Sequence, residues 1–212
     1  MIKIVIFDFD GVLVESVSAK SEAFYELFSP YGPEKARQAL DFHLQNPGMF
    51  RTKKIRLIFS KYLGIELSSE ELGKQLQLFA EMAVAKVIRA PWVPGALEFL
   101  ETGPPLPRYV VSAAPEDELQ FIVKKRNLMR YLRGVYGGPA KKKDLLLKIA
   151  ALERCEVEEL LFIGDAISDW RAAEFIGANF LGRVVIGSTN PFPPQVSTIC
   201  DLTRLKDILA VI

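Results

Sequence analysis

The chain has 212 residues, 50% of them hydrophobic, with 27 Lys and Arg against 26 Asp and Glu and a formal net charge of +1. That length buries a full core in one large domain or one domain carrying an insertion, and so balanced a charge excludes a general field that recruits nucleic acid or an anionic membrane. The single histidine, His43, excludes hydrolases whose zinc needs two or three imidazoles and leaves one residue around which a Ser-His-Asp triad could form.

The first predicted strand runs from Ile2 to Phe9 and delivers two carboxylates, Asp8 and Asp10, at its C-terminal end. Side chains at i and i+2 of a strand share a face, so both acids converge just beyond the sheet edge. Gly11 then lets the backbone turn sharply. The apolar run is short and broken by the two acids, unlike a signal peptide, and no stretch of the chain reaches the roughly 18 residues that span a bilayer. A cytoplasmic location is the expectation. With imidazoles nearly absent, carboxylates must carry the chemistry, and they bind hard cations through oxygen, Mg²⁺ above all.

From about Val17 to Ala90 the sequence reads as helical, without an obvious strand. Pro30-Tyr-Gly-Pro33 and Asn46-Pro-Gly48 divide it into about four helices. Ser68-Ser-Glu-Glu71 is a capping box, followed at helical spacing by Leu72, Leu76, Phe79, Ala80, Ala83 and Val87, which predict a core stripe. Arg51, Lys53, Lys54 and Arg56 follow the Asn46 turn, either as a substrate-clamping segment or as a basic face turned to solvent. His43, at the end of the preceding helical pattern, is expected to satisfy local hydrogen bonds. Short crossings near Glu15 to Ser18 and at Ala90-Pro-Trp-Val-Pro-Gly95 make a hinge, so residues 17–90 are expected to form an inserted helical domain between 1–16 and 91–212.

Further strands are predicted at Arg108 to Ser112, Leu160 to Gly164 and Ala178 to Ile186, alternating with helical patterns, which indicates a parallel α/β sheet. Pro115-Glu-Asp-Glu118 opens one helix and Lys124-Lys-Arg126 closes it as a solvated basic end. Asp165 ends a strand, and Asp169 stands near the start of the next helix, where Ser168 is expected to cap. Gly103-Pro-Pro-Leu-Pro107 and Asn190-Pro-Phe-Pro-Pro194 read as rigid surface loops. Cys155 and Cys200 are far apart and outside any Cys-x-x-Cys pattern, which predicts ordinary thiols.

Four segments in order, Asp8-Phe-Asp10-Gly11, Val110-Val-Ser112-Ala-Ala, Gly138-Pro-Ala-Lys-Lys142-Lys and Phe162-Ile-Gly-Asp165-Ala-Ile-Ser-Asp169, resemble the haloacid dehalogenase superfamily over essentially the entire chain. The resemblance implies a Rossmann-like core with an inserted helical cap. It implies that Asp8 is the nucleophile that forms an aspartyl-phosphate, and that Asp10 protonates the leaving oxygen and then deprotonates the attacking water. Members that resemble dehalogenases lack an acid at the second position, so Asp10 favours phosphate esters. Ser112 with neighbouring backbone N–H groups holds phosphoryl oxygens, and Gly11 and Ala113 join it on the substrate side. Lys141, Lys142 and Lys143 all offer an ammonium, and the family spacing selects Lys142 to neutralise the transferring group. Asp165 and Asp169 position Mg²⁺, with Asp8 and the backbone carbonyl of Asp10 completing the protein's share.

In this superfamily the cap sets specificity, and here Arg51 is its expected substrate contact. The segment is similar to a phosphoglycolate-phosphatase-like branch. The expectation is therefore a Mg²⁺-dependent phosphatase acting on a small phosphorylated metabolite, such as a sugar phosphate or a phosphoglycolate-like compound, as a monomer or homodimer and with no nucleic-acid or membrane partner. A phosphomutase resembling β-phosphoglucomutase and a non-catalytic binding protein of the same fold are the rivals.

Overall fold

In the computed structural model, which describes residues 1–46 and 49–211, strand β1 is Ile4–Phe7 and all of its side chains are buried. A parallel strand covered on both faces reads as a continuous apolar run, and Ile-Val-Ile-Phe is one. β1 lies between β2 (Arg108–Pro115) and β4 (Leu160–Gly164) in a sheet ordered β3-β2-β1-β4-β5-β6. The remaining strands are β3 (Gly134–Gly138), β5 (Asn179–Arg183) and β6 (Thr198–Ile199), and every pairing is parallel. Phe7 stands level with Val110 and Ile163, so the residues that follow, Asp8, Ser112 and Asp165, emerge along one edge. The strand order reverses between β1 and β4, where open α/β sheets leave a crevice for ligands.

The chain divides into two compact units, residues 16–90 and residues 1–15 with 91–212. Ser16 thus joins the first of these. This unit holds α1 (Ala19–Phe28), α2 (Pro33–Gln45), α3 (Arg51–Ile58) and α4 (Ser69–Arg89), with no strand among the described residues. Pro33 opens α2 behind Gly32, whose φ of +101° only glycine adopts readily. At α4 the Ser68 Oγ accepts from the Glu71 N–H at 3.3 Å, and the Glu71 carboxylate accepts from the Ser68 N–H at 2.8 Å. Phe24, Phe28, Ile55, Ile58, Phe59, Leu72 and Phe79 make the core of this unit. Of the expected Asn46 turn, Pro47 and Gly48 lie outside the described residues. The basic segment beyond it is not one solvated face: Lys53 and Arg56 are exposed, whereas Lys54 is buried.

In the other unit, α5 (Ala96–Thr102), α6 (Glu116–Lys125), α7 (Lys142–Glu153), α8 (Ile167–Ile176) and α9 (Leu205–Leu209) accompany the sheet. Sequence reading overextends β1 and β5 and misses β3 and β6. β3 is hidden by its glycines. A Cβ at Gly137 would stand 2.6 Å from the Ala114 carbonyl oxygen, and one at Gly134 would stand 2.8 Å from the Tyr109 ring, so close packing excludes the side chains that signal a strand. The proline-rich segment near 190 is not wholly a surface loop either. Phe192 is buried against Phe180, with ring centroids 5.4 Å apart, and covers Gly182. Nor is the end of α6 fully solvated, since the Arg126 guanidinium stacks 4.1 Å from the Trp92 ring centroid.

Candidate active site

The end of β1 turns Asp8 into a buried position. Its N–H donates to the Ile163 carbonyl at 2.8 Å, which fixes it against β4, and the Phe9 N–H donates to its Oδ1 at 2.6 Å. Lys142, the first residue of α7, donates from Nζ to Asp8 Oδ2 at 2.7 Å and to Asp169 Oδ1 at 2.6 Å. Of the three consecutive lysines, then, it is Lys142 whose ammonium reaches the carboxylates. Lys143 instead covers the Phe175 ring at 3.9 Å. Lys141, Lys143, Ser168, Arg171 and Phe175 line a neighbouring groove of about 480 Å³.

Asp169 is completely buried. Its Oδ2 accepts from the Ala166 N–H at 3.2 Å, so Asp169 ties down the start of α8, and Ser168, already inside the helix and exposed, is not the cap. The residue that makes room is Gly164, where a Cβ would meet Asp169 Cβ at 2.4 Å. Sequence reasoning assigned Gly164 no role. Its signal was its place, a glycine between an apolar strand and the acid Asp165.

Asp8, Asp165 and Asp169 each offer a carboxylate oxygen, all within 4.8 Å of one another. Three carboxylates against one ammonium leave two negative charges uncompensated when all are ionised. Burial, followed by the charges of Asp8 and Asp169, pushes Asp165 up to about 7. Burial and the Asp8 charge push Asp169 up to about 6. Burial works against the Lys142 ammonium, but the Asp8 and Asp169 carboxylates outweigh it and the net shift is upward. An all-oxygen donor set with an excess charge of this sign suits a hard divalent cation.

Asp10 lies in the turn after β1, half-buried, and its side chain is not a member of the three-carboxylate group. Gly11 adopts φ +73° in the same turn. On β2, Ser112 is buried and its Oγ accepts from the Ala114 N–H at 3.2 Å, while Ala113 is exposed. Arg51 opens α3 in the helical unit. In that unit His43 stacks on Phe24 with ring centroids 4.3 Å apart, and its Nδ1 lies 3.1 Å from Lys54 Nζ. Burial, then the nearby Lys54 and Lys20 charges, pushes His43 down to about 4, so near neutrality it is an uncharged imidazole packed inside its own unit.

The model of the haloacid dehalogenase-like hydrolase family matches residues 5–183. Phosphoglycolate phosphatase 1 from Pseudomonas aeruginosa is 27% identical, over 98% of this chain and 78% of that protein. Among solved structures, the HAD-hydrolase YfnB from Bacillus subtilis, bound to magnesium, superposes with a TM-score of 0.74 at 15% identity, covering 99% of each chain. The L-2-haloacid dehalogenase from Xanthobacter autotrophicus superposes with a TM-score of 0.69 at 19% identity, covering 100% of each chain. These two likenesses establish a shared fold, and the second shows that this fold also serves dehalogenation.

Proposed function

The chain belongs to the haloacid dehalogenase-like hydrolase family, and from that premise we propose that it is a Mg²⁺-dependent phosphatase that hydrolyses a small phosphate monoester. The observation that carries this reading is the Lys142 ammonium held between Asp8 and Asp169, with Asp165 alongside and a further acid, Asp10, two residues after Asp8. The chemistry follows from what these groups can do. A carboxylate oxygen of Asp8 attacks phosphorus and the bond to the ester oxygen breaks. Asp10 gives its proton to that departing oxygen, so the alcohol leaves neutral. Water then attacks the aspartyl-phosphate, Asp10 takes its proton, and phosphate and the Asp8 carboxylate are released. Lys142 neutralises charge on the transferring group. Asp8, Asp165 and Asp169, with the Asp10 carbonyl, would hold Mg²⁺, which when bound supplies charge neutralisation at the phosphoryl oxygens.

The relative from Pseudomonas aeruginosa supports phosphoglycolate-like or other small phosphorylated metabolites as the substrate class, and the magnesium in the Bacillus subtilis structure supports the choice of cation. Arg51 is the proposed specificity contact. The test is inorganic phosphate release from a panel of phosphorylated metabolites, with Mg²⁺ and with chelator, beside Asp8→Asn. Release that requires Mg²⁺ and falls at least about 1,000-fold in Asp8→Asn is the expected result. Unchanged turnover in that variant would overturn the mechanism, and isomerised sugar phosphate without free phosphate would replace the hydrolase with a mutase.

A further inference from the structure

An arginine at the carboxyl end of a parallel strand normally reads as an anion-binding group, and Arg183, the last residue of β5, stands in that position. Its side chain is only 4% exposed, and four of its five N–H donors are committed to the protein. Nη1 and Nη2 form a fork to the Glu15 carboxylate at 2.9 and 2.5 Å. Nη1 also donates to the Gly11 carbonyl at 3.2 Å, and Nε donates to the Cys200 carbonyl at 2.9 Å. A guanidinium neutralised by a bidentate carboxylate and bonded to two main-chain oxygens has four of its five N–H groups engaged and its charge met, which leaves no fork with which to clamp a substrate phosphate.

What it does hold is the turn that carries Asp10. That turn leaves β1 through Phe9, whose carbonyl accepts from the Leu13 N–H at 3.0 Å, and closes with the Gly11 N–H donating to the Val14 carbonyl at 2.8 Å. Between those bonds Gly11 sits at φ +73°. Glycine makes that conformation accessible but does not enforce it. Arg183 grips the turn at two points, the Gly11 carbonyl immediately after Asp10 and the Glu15 side chain at the turn's far end. Glu15 is itself tied through its N–H to the Pro91 carbonyl at 2.9 Å. Beyond the guanidinium, β5 is anchored by its pairing of Arg183 with Ile199 of β6.

We propose that Arg183 is a positioning residue that fixes the Phe9–Glu15 turn and so aims Asp10 at the leaving oxygen, acting through Gly11 and Glu15 rather than by touching substrate. The proposal rests on the phosphatase reading for its catalytic consequence and on geometry alone for its effect on the turn. Those two parts are separable by experiment.

The test compares Arg183→Met, Arg183→Lys and Glu15→Gln with the unaltered protein by two readouts. The first is amide hydrogen exchange in the peptide spanning residues 9–16, with the β4 peptide 160–164 as internal reference. In Arg183→Met, exchange in the turn should accelerate at least about tenfold while the reference stays unchanged. The second is the rate of leaving-group release in a single turnover, the step in which Asp10 acts as acid, together with kcat and KM, for an alkyl phosphate, whose leaving oxygen needs a proton, and for p-nitrophenyl phosphate, whose leaving group does not. A displaced general acid should lower the single-turnover rate on the alkyl ester about tenfold more than on the aryl ester, with KM unchanged. Arg183→Lys, which retains the charge without the fork, and Glu15→Gln, which retains the shape without the charge, should fall between. Unaltered exchange in the turn overturns the proposal whatever the protein hydrolyses. Equal losses on both esters, or a raised KM with unchanged kcat, also overturn it, the first by assigning Arg183 a purely structural role and the second by assigning it to substrate binding. Accelerated exchange in a protein silent on every ester supports the clamp and overturns the phosphatase reading alone.

Discussion

Each of the two units draws a lysine largely out of solvent, Lys142 with 11% of its side chain exposed and Lys54 buried, and the two answer desolvation in opposite ways. Lys142 is met by the carboxylates of Asp8 and Asp169 and its pKa is pushed up. Lys54 is 3% exposed, and its Nζ lies beside the Nδ1 and main-chain carbonyl of His43 at 3.1 and 3.3 Å, with desolvation pushing its pKa down. Burial alone disfavours an ammonium, so the sign of the result is decided by the charge of the partner. The first lysine belongs to a cluster whose net charge invites a cation. The second braces the C-terminal end of α2 against α3, its ammonium 5.9 Å from the Phe24 ring centroid.

The comparison is broken most sharply at Lys142. Removing one partner of a buried ionic network strands the others, at a cost of roughly 3 to 5 kcal/mol. Lys142→Met should therefore lower Tm in chelator, and turnover should fall at least about 100-fold. Mg²⁺, the proposed counter-charge to the three carboxylates, should then raise Tm more in the variant than in the unaltered protein. Calorimetry with and without Mg²⁺ measures this. A variant that keeps both its Tm in chelator and its turnover would show that the carboxylates do not depend on the ammonium.

Lys54→Met should behave differently. Replacing a buried amine that has no carboxylate partner among the described residues with an apolar side chain of similar length is often neutral or stabilising, so the expected change is within about 1 kcal/mol. A loss as large as that in Lys142→Met would erase the distinction between the two lysines. A raised KM with unchanged Tm would reassign Lys54 to the substrate.

The same contrast explains what the sequence could disclose. β1 and β4 were legible because both faces of a mid-sheet parallel strand are apolar, and Asp8 and Asp165 stood out as acids ending such runs. Lys142 could not be told from Lys141 and Lys143 by residue type, because helix register decides which ammonium turns inward. Lys54 was hidden inside a charge run that pattern alone assigns to solvent. β3 was hidden because its glycines answer to neighbouring atoms, and the bond from Arg183 to Glu15 joins residues 168 positions apart, which no local pattern encodes.

The smallest effect concerns His43, and it separates the units by pH. His43 titrates at about 4 when folded against an ordinary value of 6.5, so between those limits the unfolded chain binds more protons than the folded one. Its contribution to stability is complete above pH 6.5 and is lost as pH falls towards 4. Asp165 and Asp169, held above the usual carboxylate range in the absence of a cation, tilt stability the other way, because there the folded state binds the excess protons. A melting curve of the protein alone would blend the two slopes. His43→Gln keeps a polar neighbour for Lys54 but removes the titration, leaving the carboxylate slope in place. On going from pH 7.5 to pH 5 in chelator, the unaltered protein should therefore lose about 3 °C of Tm relative to His43→Gln. Parallel Tm profiles would show that His43 titrates normally and that the Phe24 stack and the Lys54 and Lys20 charges do not disfavour its proton.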